Sequence, residues 1–303
     1  MVLNPLDFEE FLWAKEKTLL FDNVKNLYLN HKMIDEEIHI SLMKEFRLYM
    51  LIGGMPGVVS TYLTTNNYVL VEEAKQNILN LYRADLGKAS AIIREKTSLI
   101  FESIPAQLSK PNKKFLFTEV SSNAKTRYFD SSFRYLEQAK MINVCNSTNF
   151  PTLDLKSNID YSKKKIYFLD TGLLITLAFQ NNLIIDTDTF KSILLDKIHI
   201  NEGMFFENII AQQLVANNHN LVYYYSKEEI NSKKYVEVDF LIQQGRKISL
   251  VEGKSSNYKD HSSLDKVLSK FSNLLEPSYI VYSNNIRYDA KITYLPVYLV
   301  SLL

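Results

Sequence analysis

The first part of the chain carries apolar residues at helical spacing. In PLDFEEFLWAKEK, which starts at Pro5, and in VLVEEAKQNILNLYRADL, which starts at Val69, apolar residues recur every three or four positions. This period predicts α-helices, and a proline in the first turn supports the first of them. GGMPG at 53 to 57 predicts a turn between helices. We therefore predict a mainly helical region from Pro5 to about Ala178.

A winged helix is predicted inside this region, at about residues 100 to 178. The helical run IREKTSLIFESIPAQLSKP is followed by two short helical patterns, the second of them at 126–140. After these patterns, MINVCNSTNF and KKKIYFLD are expected to form an extended hairpin. The order helix, turn, helix and hairpin is that of a winged helix, which is a DNA-binding arrangement.

Three cations on the polar faces of the predicted helix at 126–140 are candidate DNA contacts. They are Arg127, Arg134 and Lys140. The alternative is an ordinary charged helix face, because DNA contacts require cations that cluster in space and not only in sequence.

The periodicity changes at about Asn201, where strands begin to alternate with helices. The helical run GMFFENIIAQQLVANN precedes the strand-like runs LVYYYS, YVEVDFLI and KISLVEGKSS, and the helix LDKVLSKFSNLL and the strand SYIVYS follow. This alternation predicts an α/β domain. Residues 236–242 and 248–254 are expected to be adjacent antiparallel strands, joined by a short loop that contains Gly245.

The predicted fold class is therefore α+β. A helical region with a winged helix occupies residues 1–180, and an α/β domain occupies residues 190–303. The polar stretch at 181–188 is the predicted linker between them.

The composition restricts the possible partners and the compartment. The 35 Lys and Arg residues balance the 34 Asp and Glu residues, so the chain has no global charge signature of a nucleic-acid or membrane partner. Cys145 is the only cysteine, which excludes an internal disulfide framework and fits a reducing compartment. No apolar run is long enough to span a membrane, and the first residues lack the pattern of a signal peptide. We predict a cytoplasmic protein without a membrane partner.

Three charged residues stand inside the predicted hairpin: Asp239 in its first strand, and Glu252 and Lys254 in its second. Alternate residues of a strand share one side, so these groups can lie together on one face. A hard ion such as Mg2+ or Mn2+ binds to few carboxylates, and a nearby lysine can orient the metal-bound water. This chemistry suits phosphodiester hydrolysis, and Glu207 in the preceding helix could complete the acidic cluster. The alternative is a solvated acid pair bonded to Lys254.

The same residues resemble the PD-(D/E)xK nuclease superfamily. Its core carries a helix acid, an Asp near a strand end and an acid-x-Lys triplet on the neighbouring strand, and Glu207, Asp239, Glu252 and Lys254 match these positions. The resemblance implies a restriction-endonuclease-like α/β domain. It also implies that Asp239 and Glu252 bind the metal, that Lys254 positions the water, and that Glu207 orients the metal or the water.

A wider resemblance covers nearly the whole chain. The matching stretches are, in order, PLDFEEFLWA, GGMPGVV, RYFDSSFRYLEQAKMI, KIYFLDTGLL, GMFFENIIAQQL, VEVDFLI and VEGKSS. Together they resemble the carboxyl-terminal region of a large prokaryotic family of AAA-type P-loop ATPases. In that family the region follows the ATPase module and has no characterised function. The resemblance implies a winged helix, a nuclease-like domain and an ATPase module or another protein as partner.

The sequence departs from both patterns at a few positions. The proline that precedes the nuclease Asp is Val238 here, and the middle residue of the triplet is Gly253; neither departure removes a ligand. A phosphate-binding G-x-x-x-x-G-K-[ST] loop is absent, because Gly87 and Lys88 continue to Ala89 without a glycine-rich lead. We therefore expect no ATP binding or hydrolysis by this chain, which looks like the tail of such an ATPase, either shortened or separated from the rest.

Two functions from different classes remain open on the sequence. The first is a Mg2+-dependent, DNA-directed nuclease-like module with a DNA-binding winged helix. The second is a catalytically inactive module of the same fold that recognises DNA or a protein partner. Convergence of Glu207, Asp239, Glu252 and Lys254 in one cleft would favour the first. The sequence does not indicate an oligomeric state.

Overall fold

The fold combines a helical first half with one large mixed sheet. The computed structural model describes residues 3–88, 91–120, 129–179, 202–228, 234–256, 258–275 and 278–303. The helices of the first half are α1 (Phe8–Ala14), α2 (Thr18–Leu29), α3 (Glu36–Ile52), α4 (Pro56–Thr65), α5 (Tyr68–Gly87), α6 (Ala91–Leu108), α7 (Phe117–Val120) and α8 (Asp130–Gln138).

Short polar side chains begin several of these helices. In α1 the Asp7 carboxylate accepts the N–H of Glu10, and the Glu10 carboxylate accepts the N–H of Asp7. Asp35 and Asn67 accept backbone N–H groups in the first turns of α3 and α5. These side chains satisfy N–H groups that have no partner within the helix, and so they fix where each helix starts.

The strands form one eight-stranded sheet within the described residues. They are β1 (Ile142–Thr148), β2 (Ile159–Phe168), β3 (Val222–Lys227), β4 (Tyr235–Gln244), β5 (Lys247–Gly253), β6 (Ser278–Tyr282), β7 (Arg287–Tyr288) and β8 (Ile292–Pro296). Their order is β2-β1-β3-β4-β5-β6-β8-β7. The pairs β1–β3, β5–β6 and β6–β8 are parallel, and the other neighbours are antiparallel.

Helices cover both faces of this sheet. On one face α10 (Glu202–Ala216) contacts β1, β2 and β5, and α9 (Thr171–Phe179) joins it to the helices of the first half. On the other face α11 (Ser262–Lys270) packs its buried Leu264 and Val267 into a second apolar core with residues of β4. The candidate site lies on the α10 face.

A buried carboxylate ties the GGMPG turn to the start of α9. Asp170 accepts the N–H of Gly54 at 2.6 Å and the N–H of Leu173 at 2.9 Å. Gly53 has φ of +84°, and a Cβ atom there would lie 2.2 Å from Asp170 Oδ1. Only glycine fits both the backbone angle and the close approach of the carboxylate, which explains this motif without a catalytic role.

The structure confirms the predicted α+β class and the central hairpin. Strands β4 and β5 pair antiparallel, with Phe240 opposite Val251, and Gly245 lies in the loop between them with φ of +62°. The hairpin that the sequence assigns to a wing exists as β1 and β2. It belongs to the same sheet as β3 to β8, because β1 also pairs with β3. The predicted linker at 181–188 lies outside the described residues. None of the described helices has the length and apolar character needed to cross a membrane.

Candidate functional site

The β4–β5 hairpin brings three of the predicted site residues together. Asp239 directly precedes and Glu252 directly follows the registered pair Phe240 and Val251, and the charge of Asp239 raises the pKa of Glu252, so the two carboxylates lie near each other. Asp239 Oδ2 accepts the N–H of Gly253 at 3.0 Å. Lys254 Nζ lies 2.9 Å from Glu252 Oε1. The carboxylates and the lysine of the predicted triplet therefore share one place on the sheet.

Gly253 allows helix α10 to approach this hairpin closely. A Cβ atom at Gly253 would lie 2.9 Å from Cδ1 of Ile210 and 3.6 Å from Cδ1 of Phe206, both on α10. The close packing of α10 thus explains why a glycine occupies the middle of the acid-x-Lys triplet. The close approach brings the fourth predicted residue, Glu207 of α10, next to the strand carboxylates.

Lys165 of β2 connects Glu207 to the strand carboxylates, and the sequence analysis did not identify it. Its Nζ lies 3.0 Å from Asp239 Oδ1, 2.9 Å from Glu237 Oε1 and 3.5 Å from Glu207 Oε2. The side chain is only 1% exposed. Burial alone would lower the pKa of Lys165, but Glu207, Tyr167 and the strand carboxylates raise it well above its usual value. Lys165 is therefore an ammonium ion held among three acids.

Further donors complete the ionic network around Glu207 and Glu237. Lys113 forms a short ion pair with Glu207 Oε1, and the Tyr167 hydroxyl donates to Glu207 Oε2 at 2.9 Å. Lys114 Nζ lies 3.2 Å from Glu237 Oε2. Ion pairs join the carboxylates of Glu207, Glu237 and Asp239 to Lys113, Lys114 and Lys165. The separate Glu252–Lys254 pair is linked to them by the hydrogen bond from the Gly253 N–H to Asp239. We call these four carboxylates and four lysines the ionic network. The four acids and four lysines balance in charge when all are ionised.

The neighbouring carboxylates of Asp239 and Glu252 have pKa values shifted in opposite directions. Burial would raise the pKa of Asp239, but Lys165, Lys113 and the Gly253 N–H outweigh it and lower that pKa below its ordinary value. Burial and the charge of Asp239 raise the pKa of Glu252 to about 7, although Lys254 opposes this shift. Glu252 Oε2 is buried and has no hydrogen-bond partner among the described residues. One carboxylate is thus held ionised, while the other has a buried oxygen available for a proton or a cation.

The oxygen donors suit a hard cation only with help from water or substrate. Among the described residues, no group of three or more His, Cys, Asp or Glu side chains is arranged to hold a metal ion. Asp239 and Glu252 supply two carboxylates, and no donor among the described residues reaches Glu252 Oε2. Mg2+ commonly binds one or two carboxylates and takes its other ligands from water and phosphate. The two residues therefore fit such an ion in number and chemistry, while Lys165 already neutralises Asp239.

Two of the three predicted DNA contacts, Arg134 and Lys140, line depressions apart from this network. Arg134 is exposed on α8 and lines a depression with Asp130, Glu137, Tyr161 and Lys164. Lys140 follows α8 with φ of +53° and lines an adjoining depression that Tyr161 shares. Arg127 lies outside the described residues. The structure therefore does not bring Arg134 or Lys140 together with Asp239 and Glu252.

Comparison with known proteins gives two matches, each to a part of the chain. Neither the curated proteins nor the solved structures gave a match. The segments that match family models share one sheet, because β1 and β2 belong to the first segment and β3 to β8 to the second. Residues 43–183 match a domain of unknown function, DUF8612, and residues 202–300 match a second domain of unknown function, DUF4143, so two such domains cover most of the chain.

Proposed function

We propose that this chain carries a nuclease-like site that hydrolyses DNA phosphodiesters with the help of a divalent cation. The observation that carries the proposal is convergence. Glu207 from α10, Asp239 from β4, and Glu252 with Lys254 from β5 meet in one ionic network, although 47 positions separate the first from the last. Burying a carboxylate without a partner is unfavourable. A cluster of buried carboxylates in a sheet therefore needs positive charges or hydrogen-bond donors beside it, whereas exposed carboxylates are solvated by water.

Each residue of the network has a distinct role in this proposal. Asp239 and Glu252 would hold Mg2+ or Mn2+, which neutralises charge on the phosphate and lowers the pKa of a bound water. Lys254, which lies 2.9 Å from Glu252 Oε1, would position that water. Glu207 acts on the metal ligand through Lys165, because both Glu207 and Asp239 pair with its ammonium group.

Lys165 sets a condition on metal binding. A cation that takes Asp239 Oδ1 as a ligand must replace the 3.0 Å pair between this oxygen and Lys165. Lys165 keeps Glu237 at 2.9 Å and Glu207 at 3.5 Å after that exchange, so it remains compensated. We therefore expect an ion that binds with modest affinity and is strengthened by a substrate phosphate.

The balance of charges favours a second candidate function. Even with every acid ionised, four lysines balance the four carboxylates, and an uncharged cluster attracts a divalent ion less than an acidic one does. In this alternative the ion pairs only stabilise the fold, and the chain is a catalytically inactive module that recognises DNA or a protein partner.

The partners of the chain belong to the proposal as well. The resemblance to the tails of AAA-type ATPases supports an ATPase module or another protein as partner, and DNA as the substrate. The winged helix would contribute DNA contacts through Arg127, Arg134 and Lys140. Because the chain lacks a phosphate-binding loop, the proposal includes no ATP binding by the chain alone.

A cleavage assay tests the proposal. Labelled single-stranded and duplex DNA are incubated with the protein in Mn2+, in Mg2+ and in EDTA. The proposal expects cutting that depends on the ion and that falls about 100-fold or more in Lys254→Met, because the residue that positions the water is lost.

Lys266→Met is the matched control for this assay. Lys266 also pairs with a glutamate, Glu228 at 2.7 Å, but it is half exposed on α11 and lies outside the network. Equal cleavage by wild type, Lys266→Met and Lys254→Met would identify a contaminating nuclease and contradict the proposal. Absence of cleavage under all conditions would favour the recognition module.

A further inference from the structure

Two stacked tyrosines lie on the same sheet face as the ionic network. Tyr225 of β3 and Tyr235 of β4 have ring centroids 4.7 Å apart and planes within 5° of each other. Tyr225 is half-buried, whereas Tyr235 is 48% exposed. The pair thus has an inner ring held by the protein and an outer ring that faces solvent.

Lysines surround the inner ring. Lys114 Nζ lies 3.0 Å from the Tyr225 ring centroid, and Lys163 Nζ lies 5.4 Å from it. Exposed Lys227 stands opposite Tyr235 in the β3–β4 ladder. Cations over an aromatic face stabilise the ring position, so Tyr225 is fixed and Tyr235 is supported by it. We call Tyr225, Tyr235, Lys163 and Lys227 the tyrosine–lysine surface.

This surface is continuous with the candidate site. Tyr235, Glu237 and Asp239 alternate along β4 and therefore point to one face. Glu237 pairs with Lys114, which contacts Tyr225, and with Lys165, which contacts Asp239. Four residues of strand place Asp239 about 13 Å from Tyr235 along β4. A ligand that lies along the strand can contact both.

Charge and ring exposure identify the kind of ligand. An exposed aromatic face binds a nucleobase by stacking, and neighbouring lysines bind the phosphates, the combination found in single-strand binding sites. Asp160 pairs with Lys163 at 2.9 Å, and a phosphate would compete with it. Glu237, which lies opposite Tyr225, is already paired with Lys114 and Lys165. Bases inside a duplex are not available for stacking on Tyr235.

We propose that the tyrosine–lysine surface binds single-stranded DNA, with a base stacked on Tyr235 and phosphates on Lys163 and Lys227. The strand then continues toward Asp239, Glu252 and Lys254. The binding follows from the surface itself, whereas delivery of the strand for hydrolysis rests on the proposed function.

Binding is measured in EDTA, so that it does not depend on cleavage. Fluorescence anisotropy compares a labelled 12-nucleotide oligo-dT, a duplex of the same length and a 12-nucleotide oligo-rU. We expect wild type to bind oligo-dT more tightly than the duplex. Tyr235→Ala should weaken binding of oligo-dT about tenfold or more, and Tyr235→Phe, which keeps the ring, should bind like wild type. Lys163→Ala should weaken binding and lower the salt slope by about one.

Trp13→Ala is the matched control. Trp13 is 50% exposed, like Tyr235, but it lies on α1 and outside the tyrosine–lysine surface. Its replacement should leave binding unchanged. Because Tyr235 is exposed, Tyr235→Ala should also keep the melting temperature of wild type, which circular dichroism verifies.

The outcomes separate this inference from the proposed function. Unchanged binding of oligo-dT by Tyr235→Ala, or equal binding of duplex and single strand, would overturn the inference even if the protein cleaves DNA. Tighter binding of oligo-rU would make RNA the occupant and overturn the assignment to DNA. Loss of binding in Tyr235→Ala together with no cleavage by wild type would sustain the inference and remove the proposed hydrolysis.

Discussion

Lys165 Nζ lies 3.0 Å from Asp239 Oδ1, and this pair joins the two segments of the chain that match different domain models. Lys165 comes from β2 in the first segment, and Asp239 comes from β4 in the second. The pair is nearly inaccessible to solvent, so removing one partner leaves a buried charge uncompensated, which costs much more than breaking a surface ion pair. The candidate site therefore depends on both segments.

Replacing Lys165 with Met should lower the free energy of unfolding by about 3–5 kcal/mol, because Asp239 and Glu207 lose their shared buried cation. Urea denaturation measures this change. Lys163→Met is the matched control on the same strand; Lys163 pairs with Asp160 but is half exposed, so its removal should change stability by less than about 1 kcal/mol. The double variant Lys165→Met/Asp239→Asn should lose less stability than the sum of the losses in the two single variants. Equal stability of wild type and Lys165→Met would refute the buried pair.

The raised pKa of Glu252 leads us to expect that the folded protein becomes less stable as the pH rises. Because the pKa of Glu252 is raised to about 7 in the folded protein, the folded state holds this proton more tightly than the unfolded chain does. The stability that the protonated Glu252 contributes is fully present below the pKa of a glutamate in the unfolded chain, and it is lost as the pH rises through about 7. In EDTA, Glu252→Gln should gain about 1–3 kcal/mol relative to wild type between pH 5 and pH 8. Urea denaturation across this range checks the difference, and a difference that does not change with pH would contradict the raised pKa.

Strand alternation made part of the site predictable from the sequence. The pattern around Asp239 and Glu252 specified two paired strands, and pairing determines which side chains share a face. Lys165 was not predictable in this way, because its contact with Asp239 depends on β2 lying in the same sheet as β4. The stack of Tyr225 and Tyr235 was missed for a similar reason, since the register of β3 against β4 is not visible in either strand alone. Alternation in KKKIYFLD was the available signal, because it places Lys163, Lys165 and Tyr167 in alternate positions.

The GGMPG turn of the first half should tolerate alanine at one glycine and not at another. Gly53→Ala should destabilise the protein by at least about 3 kcal/mol, because φ of +84° and a Cβ atom 2.2 Å from Asp170 Oδ1 are both unfavourable. Gly57→Ala is the control within the same motif: it lies in α4 and its Cβ atom would have no neighbour within 4 Å. Gly57→Ala should leave the free energy of unfolding unchanged or raise it by up to about 1 kcal/mol. Thermal melts distinguish the two, and equal melting temperatures would show that Asp170 does not require the glycine.

The proposed hydrolysis depends on metal binding by Asp239 and Glu252. A divalent ion that binds the folded protein but not the unfolded chain stabilises it by about 2.7 kcal/mol at 100 times its dissociation constant. Asp239→Asn removes a proposed ligand. Glu237→Gln is its matched control, because Glu237 also pairs with Lys165, at 2.9 Å, but it is not a proposed ligand. Both variants lose one acid from the network, and only one loses an ion ligand.

The most direct measurement is the melting temperature of wild type, Asp239→Asn and Glu237→Gln in EDTA and in increasing Mg2+ or Mn2+. The metal site predicts a saturable rise for wild type and for Glu237→Gln, and little or no rise for Asp239→Asn. A rise in Asp239→Asn equal to that of wild type, or no rise in wild type at millimolar ion, would contradict metal binding by Asp239 and Glu252.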